Sequence, residues 1–318
     1  ARPVNAAHPG SSQVFLSGYD PLPRPTKRIT AVVRPGQITA WRKPPLTLSR
    51  PPSAMHFGLI IIGDEILSGK RQDKHLAKVI ELLSARGLAL SWARYVGDDR
   101  PRITADLKHA FDSGDIVFSC GGIGATPDDH TRQCAAAALQ RELVLHPQAE
   151  ALIRERTEDT APEREETYEP DRPDNIHRLN RGVFPAGAQI IPNPYNKIPG
   201  FSVGDVHFVP GFPVMAHPMI EALLDTRYRH LHGTQAQSEK SVIVYGAMEA
   251  ALTPLMETIE REHAGVRVFS LPSVDHPQHG RHIELGVKGA AGAVDPAYAQ
   301  LRTALAAMGV SLGPELVR

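Results

Sequence analysis

The sequence predicts an α/β protein: a three-layer α/β/α unit on a mainly parallel sheet, followed by a small α+β unit at the C-terminal end. Three observations carry this. The run FGLIII at 57–62 is continuously apolar, as a strand buried on both faces requires. Leu76, Val79, Ile80 and Leu83 then recur at helical spacing. The strand–helix alternation repeats three times, with crossovers short enough to demand parallel strands and right-handed connections.

The elements follow in order. After the first strand, the polar stretch GDEILSGKRQ reads as a loop, and the helix that follows stops at Gly87. Residues 88–96 read as a second strand ending in Gly97-Asp98-Asp99. Pro101 suits a first helical turn, and Ile103, Leu107, Ala110 and Phe111 mark one helix face. Residues 115–119 form a third strand ending in Cys120-Gly121-Gly122, and a helix begins around 129–131 and runs to Leu139. The acid-rich stretch 158–175 reads as a mobile surface excursion. Short strands are expected at 189–191, 200–203 and 206–209, with a helix over 213–230. Beyond residue 238 the order β-α-β-β-α predicts a small sandwich on an antiparallel sheet.

At roughly 150 residues per domain, 318 residues suggest about two domains. We place them at 55–232 and 238–318. Residues 1–54 carry eight Lys or Arg, a single acid (Asp20) and ten prolines. Proline removes backbone donors and fixes φ, so this segment is expected to be a disordered extension, with the ordered protein starting near Met55.

Lys+Arg and Asp+Glu are both 35, so the formal charge is zero. That argues against broad binding to nucleic acid or anionic membrane, which needs a basic excess. No run approaches the ~20 apolar residues that span a bilayer. Two cysteines, Cys120 and Cys134, cannot build a disulfide framework or a four-ligand zinc site, so the expected compartment is cytoplasmic.

In an open parallel sheet, ligands bind outside the carboxyl ends of the strands. The loops at those ends pair glycine with carboxylates: Gly63-Asp64-Glu65 through Ser68-Gly69, then Gly97-Asp98-Asp99, then Gly121-Gly122-Ile123-Gly124 through Thr126, Asp128, Asp129 and Thr131. Glycine lets backbone N–H groups approach an anion, and Thr126 and Thr131 offer hydroxyl donors. The turn is neither a dinucleotide fingerprint nor a P-loop. A divalent cation, Mg²⁺ or similar, reconciles an acidic pocket with a phosphate guest by binding both. Asp64, Asp128 and Asp129 are the candidate metal ligands. Asp98 and Asp129 are the candidate catalytic groups, with turn formation and helix capping as their structural alternatives. His276, His279 and His282 sit in a hairpin marked by Pro and Gly and read as solvated loop. Gly286-Val287-Lys288-Gly289 fits a Gly-x-x-Gly pattern but reads as a strand end.

In order and spacing, GDEILSGKRQD, VGDDRPRI, GGIGATPDDHTR, IPNPYNKIPGF and VPGFP resemble the molybdopterin-binding domain family of the MoaB/Mog type. Within it the likeness is greatest to the N-terminal part of CinA-type chains, and residues 238–318 resemble their KH-type middle domain. The resemblance covers about 55–230. It implies a three-layer domain, often in dimers or trimers, that binds molybdopterin or a nucleotide. It implies either a metal-dependent nucleotide pyrophosphatase or adenylyltransferase, or a non-catalytic binding module for molybdenum-cofactor assembly. It also matches the Asn-Pro element to Asn193-Pro194 and the Pro-Gly-x-Pro turn to Pro210-Gly211-Phe212-Pro213. Where CinA-type chains read Asp-Thr-Asn, this one has Asp73-Lys74-His75.

Overall fold

The computed structural model describes residues 56–164, 167–234 and 238–318, so the predicted extension over 1–54 lies outside the described residues. The first strand, β1 (Phe57–Ile62), leads into a single turn, α1 (Asp64–Leu67), and then α2 (His75–Ser84), β2 (Leu90–Val96), α3 (Arg100–Ser113), β3 (Ile116–Cys120) and α4 (Thr131–Leu139). A second group comprises β4 (Leu143–Leu145), α5 (Pro147–Thr160), α6 (Pro173–Arg178), β5 (Val183–Pro185), β6 (Gln189–Ile191), β7 (Gly200–Val203), β8 (Val206–Val209) and α7 (Pro213–Thr226). The C-terminal part is β9 (Ser238–Tyr245), α8 (Glu249–Glu262), β10 (Arg267–His276), β11 (Gly280–Gly289), α9 (Ala291–Ala307) and β12 (Ser311–Val317).

Six strands form one mixed sheet in the order β2-β1-β3-β8-β7-β6. β2, β1, β3 and β8 run parallel, while β7 and β6 are added antiparallel. β1 is buried along its whole length because alternate side chains feed opposite layers. Phe57, Leu59 and Ile61 pack with Val79 and Leu83 of α2 and Met219 and Ile220 of α7. Ile60 and Ile62 pack with Ile103 and Leu107 of α3, Ala135 of α4 and Ile153 of α5. Burial of each such side chain contributes about 1.5–3 kcal/mol. The other sheet is antiparallel, ordered β10-β11-β9-β12, with Leu252, Ile259, Leu301 and Leu305 of α8 and α9 in its core.

Three elements differ from expectation. The acidic stretch 158–175, predicted as a mobile excursion, is largely turned or helical: α5 reaches Thr160, a 3₁₀ turn follows at Pro162–Arg164, and α6 begins at Pro173. Ion pairs account for part of this, since Lys197 holds Glu155 and Asp159 of α5 at 2.7 and 2.6 Å. α1 occupies the start of the predicted loop. β12 escaped prediction because Gly313 and Pro314 interrupt its pattern, and its pairing with β9 breaks between Leu312 and Glu315.

A polar chain crosses the parallel sheet's interior. Tyr228 donates to Asp205 Oδ1 at 2.8 Å and accepts from His207 Nε2 at 2.6 Å, so His207 Nδ1 accepts from Ser202 Oγ at 2.7 Å. Burial holds His207 neutral, with its pKa lowered from 6.5 to about 3. No helix among the described residues is long and apolar enough to cross a membrane.

Candidate functional site

The four parallel strands end at Ile62, Val96, Cys120 and Val209, all at one edge of the sheet. The loops that leave them meet the 193–199 loop and the segment after α6 around a cleft of about 690 Å³. That is within the ordinary range for a small-molecule site.

The glycine turn forms the floor. Gly121 and Gly122 have φ of +107° and +68°, and a side chain on either would run into the Ile62 carbonyl or the Thr131 hydroxyl. Thr131 sits behind the turn, fully buried, donating its hydroxyl to Gly121 O and its amide to Gly122 O, both at 3.0 Å. Arg132, also buried, donates Nη2 to Gly124 O. Asp129 closes the loop by accepting from the amide and the hydroxyl of Thr126. Among the described residues, no protein group accepts from the successive amides of Gly122, Ile123, Gly124 and Ala125. Consecutive free N–H groups in such a turn make an anion-binding concavity.

The acids stand beside this turn. Asp64 N donates to Asp98 Oδ2 at 2.9 Å and Asp98 N donates to Asp64 Oδ1 at 3.1 Å. Burial raises the Asp98 pKa, and the nearby charges of Asp64, Glu65 and Asp128 push it the same way, against the one hydrogen bond from Asp64. Asp99 caps α3 through Arg102 N at 2.9 Å. A hydrogen bond from Thr126 lowers the Asp128 pKa. Among the described residues no three His, Cys, Asp or Glu side chains are placed to hold a metal ion. The expected set of Asp64, Asp128 and Asp129 is therefore not gathered around a common point.

Of the predicted ligand residues, Gly63, Glu65, Gly121, Gly122, Gly124 and Thr126 line the cleft, as do Asn193 and Gly211. So do Asp98, Asp128 and Asp129. Asp64, Ser68, Gly69, Thr131 and Pro194 do not. Ser68 and Gly69 end α1, donating to Asp64 O and Ile66 O. Asn193 spends its side chain on its own loop: Nδ2 donates to Asn196 Oδ1 and Ile198 O, and Oδ1 accepts from Tyr195 N. It shapes the wall.

Several lining residues went unsingled in the sequence: Arg71, His177, Arg178 and Arg181. The last three arrive with α6 and the turn after it, which follow a stretch read as surface. Phe212 stays half-exposed in the cleft wall, with the Arg71 guanidinium 6.0 Å from its ring centroid. The Asp73-Lys74-His75 departure has a structural role. Asp73 caps α2, accepting from His75 N at 2.7 Å and Leu76 N at 3.1 Å. The buried His75 ring sets Nε2 3.1 Å from Gly211 O and so ties α2 to the Pro210–Pro213 turn.

Away from the cleft, His276, His279 and His282 cluster, with ring centroids 4.9 to 5.6 Å apart. His276 Nδ1 already accepts from the amides of Gln278 and His279. Gly286–Gly289 is the end of β11.

Residues 58–230 match the family described as "Probable molybdopterin binding domain". A CinA-like protein of Syntrophotalea carbinolica is 28% identical over 220 residues, covering 65% of this chain and 50% of its own length. A protein of Pyrobaculum calidifontis is 29% identical over 253 residues, covering 76% of this chain and 93% of its own. This chain thus spans about half the length of the CinA-like relatives it matches. Among solved structures, CinA from Thermoplasma acidophilum is 26% identical, covering 54% of this chain and 97% of its own, with a TM-score of 0.45.

Proposed function

This chain belongs to the molybdopterin-binding domain family, and from that premise we propose that its cleft takes a phosphate-bearing pterin or nucleotide and performs metal-dependent phosphoanhydride chemistry on it. One observation carries the reading: four successive amides without a protein acceptor lie beside a cluster of carboxylates on the same cleft wall. The amides supply donors for a phosphoryl group. Phe212 and Arg71 supply a face against which a planar ring stacks.

The donor set suits a hydrated divalent ion that arrives with the guest, not a cage built wholly from protein. Such ions keep several waters and use one or two carboxylates together with phosphate oxygens. Asp128 and Glu65 line the cleft and supply those carboxylates, leaving Asp98 for the water. A bound ion would neutralise charge on the phosphoryl oxygens. Asp98, whose proton is held more tightly than an ordinary carboxyl's, accepts a proton from attacking water. Asp129 acts by fixing Thr126 and the turn.

A second reading is binding without turnover in cofactor assembly, and it is favoured by the family's description, which names binding alone. Both readings confine the site to 55–232, treat 238–318 as a separate domain, and place a homo-oligomer in the cytoplasm with no nucleic-acid or membrane partner. The test is release of AMP from ADP-ribose or FAD with Mg²⁺ or another divalent ion. Turnover that Asp98→Asn abolishes supports the enzyme. Tight pterin binding with no turnover under any metal supports the module.

A further inference from the structure

The cleft is also lined by two arginines, Arg178 at the end of α6 and Arg181 three residues on. Arg178 is only loosely paired, 3.6 Å from an Asp174 carboxylate that is already engaged by Arg172 at 2.5 Å. Arg181 has no carboxylate partner among the described residues. Its one hydrogen bond runs from Nε to Arg178 O at 3.4 Å, near the limit of such a bond. Burial and the like charge of Arg178 both press against its cation. Uncompensated, partly buried guanidinium groups cost stability, and their planar fork matches phosphoryl oxygens in a bidentate fashion.

The position of the pair relative to the glycine turn narrows the guest. Arg132 donates to Gly124 O, and Arg132 and Asn180, the residue before Arg181, line a small hollow together with Ala125 and Thr126. The free amides of Gly122–Ala125 and the side chains of Arg178 and Arg181 therefore belong to one cleft. Two adjacent anion positions match a pair of linked phosphoryl groups.

We infer that Arg181, with Arg178, forms a second phosphoryl subsite beside the glycine turn, so that the site selects guests carrying a diphosphate over those carrying a single phosphate. This deepens the proposed function and rests on reading the turn as a phosphate site.

Inorganic pyrophosphate and orthophosphate, titrated calorimetrically into the full chain, test it without assuming a ring. The expected result is pyrophosphate binding at least ~10-fold tighter than orthophosphate, with Arg181→Gln removing most of that preference and weakening orthophosphate far less than pyrophosphate. Arg181→Lys, which keeps the charge and loses the fork, should fall between. Without ligand, Arg181→Gln should melt at or above the wild-type temperature, because it removes an uncompensated cation. A purely structural arginine would lower it. Unchanged pyrophosphate preference in Arg181→Gln, or a lowered melting temperature with equal loss for both anions, would overturn the inference while leaving the phosphate site standing. Binding of neither anion to the wild type would overturn both.

Discussion

Asp64 and Asp98 cap one another across the gap between β1 and β2: each carboxylate accepts the other's backbone N–H, at 2.9 and 3.1 Å. The arrangement orders two loops at the mouth of the cleft and forces like charges together. Its electrostatic signature is the raised pKa of Asp98, to which burial contributes most and Asp64, Glu65 and Asp128 add. A carboxyl whose folded pKa lies above its ordinary 3.8 weakens the folded state once pH exceeds that value, and the penalty disappears as pH falls through it.

Asp98→Asn should therefore stabilise the protein while disabling the site. The amide oxygen still accepts from Asp64 N, and the new NH₂ group donates toward the Asp64 carboxylate. At pH 7 the melting temperature should rise by about 1–2 °C, from roughly 0.5 kcal/mol. The gain should vanish near pH 4. Melting curves at the two pH values decide this, and a variant that is less stable at pH 7 would mean that capping outweighs repulsion.

Gly122→Ala is expected to cost about 1–3 kcal/mol, from a left-handed backbone and a collision with the Thr131 hydroxyl. Chemical denaturation should show the midpoint moving with the slope unchanged. Pairing Gly122→Ala with Thr131→Ala, which removes that hydroxyl, should leave most of the cost in place, because the backbone strain remains.

Much of this site was legible because its residues sit at strand ends. An apolar run such as FGLIII dictates a buried strand, and once three such strands are parallel their trailing glycines and acids must meet. The arginines were not legible. Arg178 ends α6 and Arg181 follows in the next turn, and nothing in the local pattern of 158–175 reports that the chain returns to the cleft there. Nor can spacing distinguish a carboxylate aimed at a cation from one aimed at an amide. Asp64 and Asp129 had the composition of metal ligands, and each also lends an oxygen to a backbone amide. Thr131 likewise had the right chemistry for a phosphate donor, yet its hydroxyl is used within the turn.

Asp73→Ala should cost about 1 kcal/mol by uncapping α2, and it should also disturb the cleft, since His75 on the first turn of α2 holds Gly211 O. Burial pushes the Asp73 pKa up, but the hydrogen bonds from His75 N, Tyr95 and Leu76 N outweigh it and leave the pKa lowered. Its stabilising effect is thus complete above pH 3.8 and is lost as acid titrates it. His75→Phe should keep the cap, break the tie to Gly211, and weaken ligand binding at nearly unchanged helix content by circular dichroism.

His207 sets the acid limit of the fold. Its ring is fully buried, with Nε2–H given to Tyr228 and Nδ1 accepting from Ser202, so protonation would place a second donor against a hydroxyl already donating to it. The folded pKa is about 3, against 6.5 for the free side chain. Between these values the unfolded chain binds a proton that the folded chain refuses. Stability therefore rises with pH across that window and falls as pH drops below 6.5, by up to ~1.4 kcal/mol per pH unit from this residue. His207→Gln, with its amide donating to Tyr228, should be less stable at pH 7 and lose less on acidification. Denaturation midpoints at pH 7, 6, 5 and 4 should draw together for the two proteins as the pH falls. A constant gap at all four values would mean that His207 takes up its proton without unfolding, and that the Ser202–His207–Tyr228–Asp205 chain rearranges to accept it.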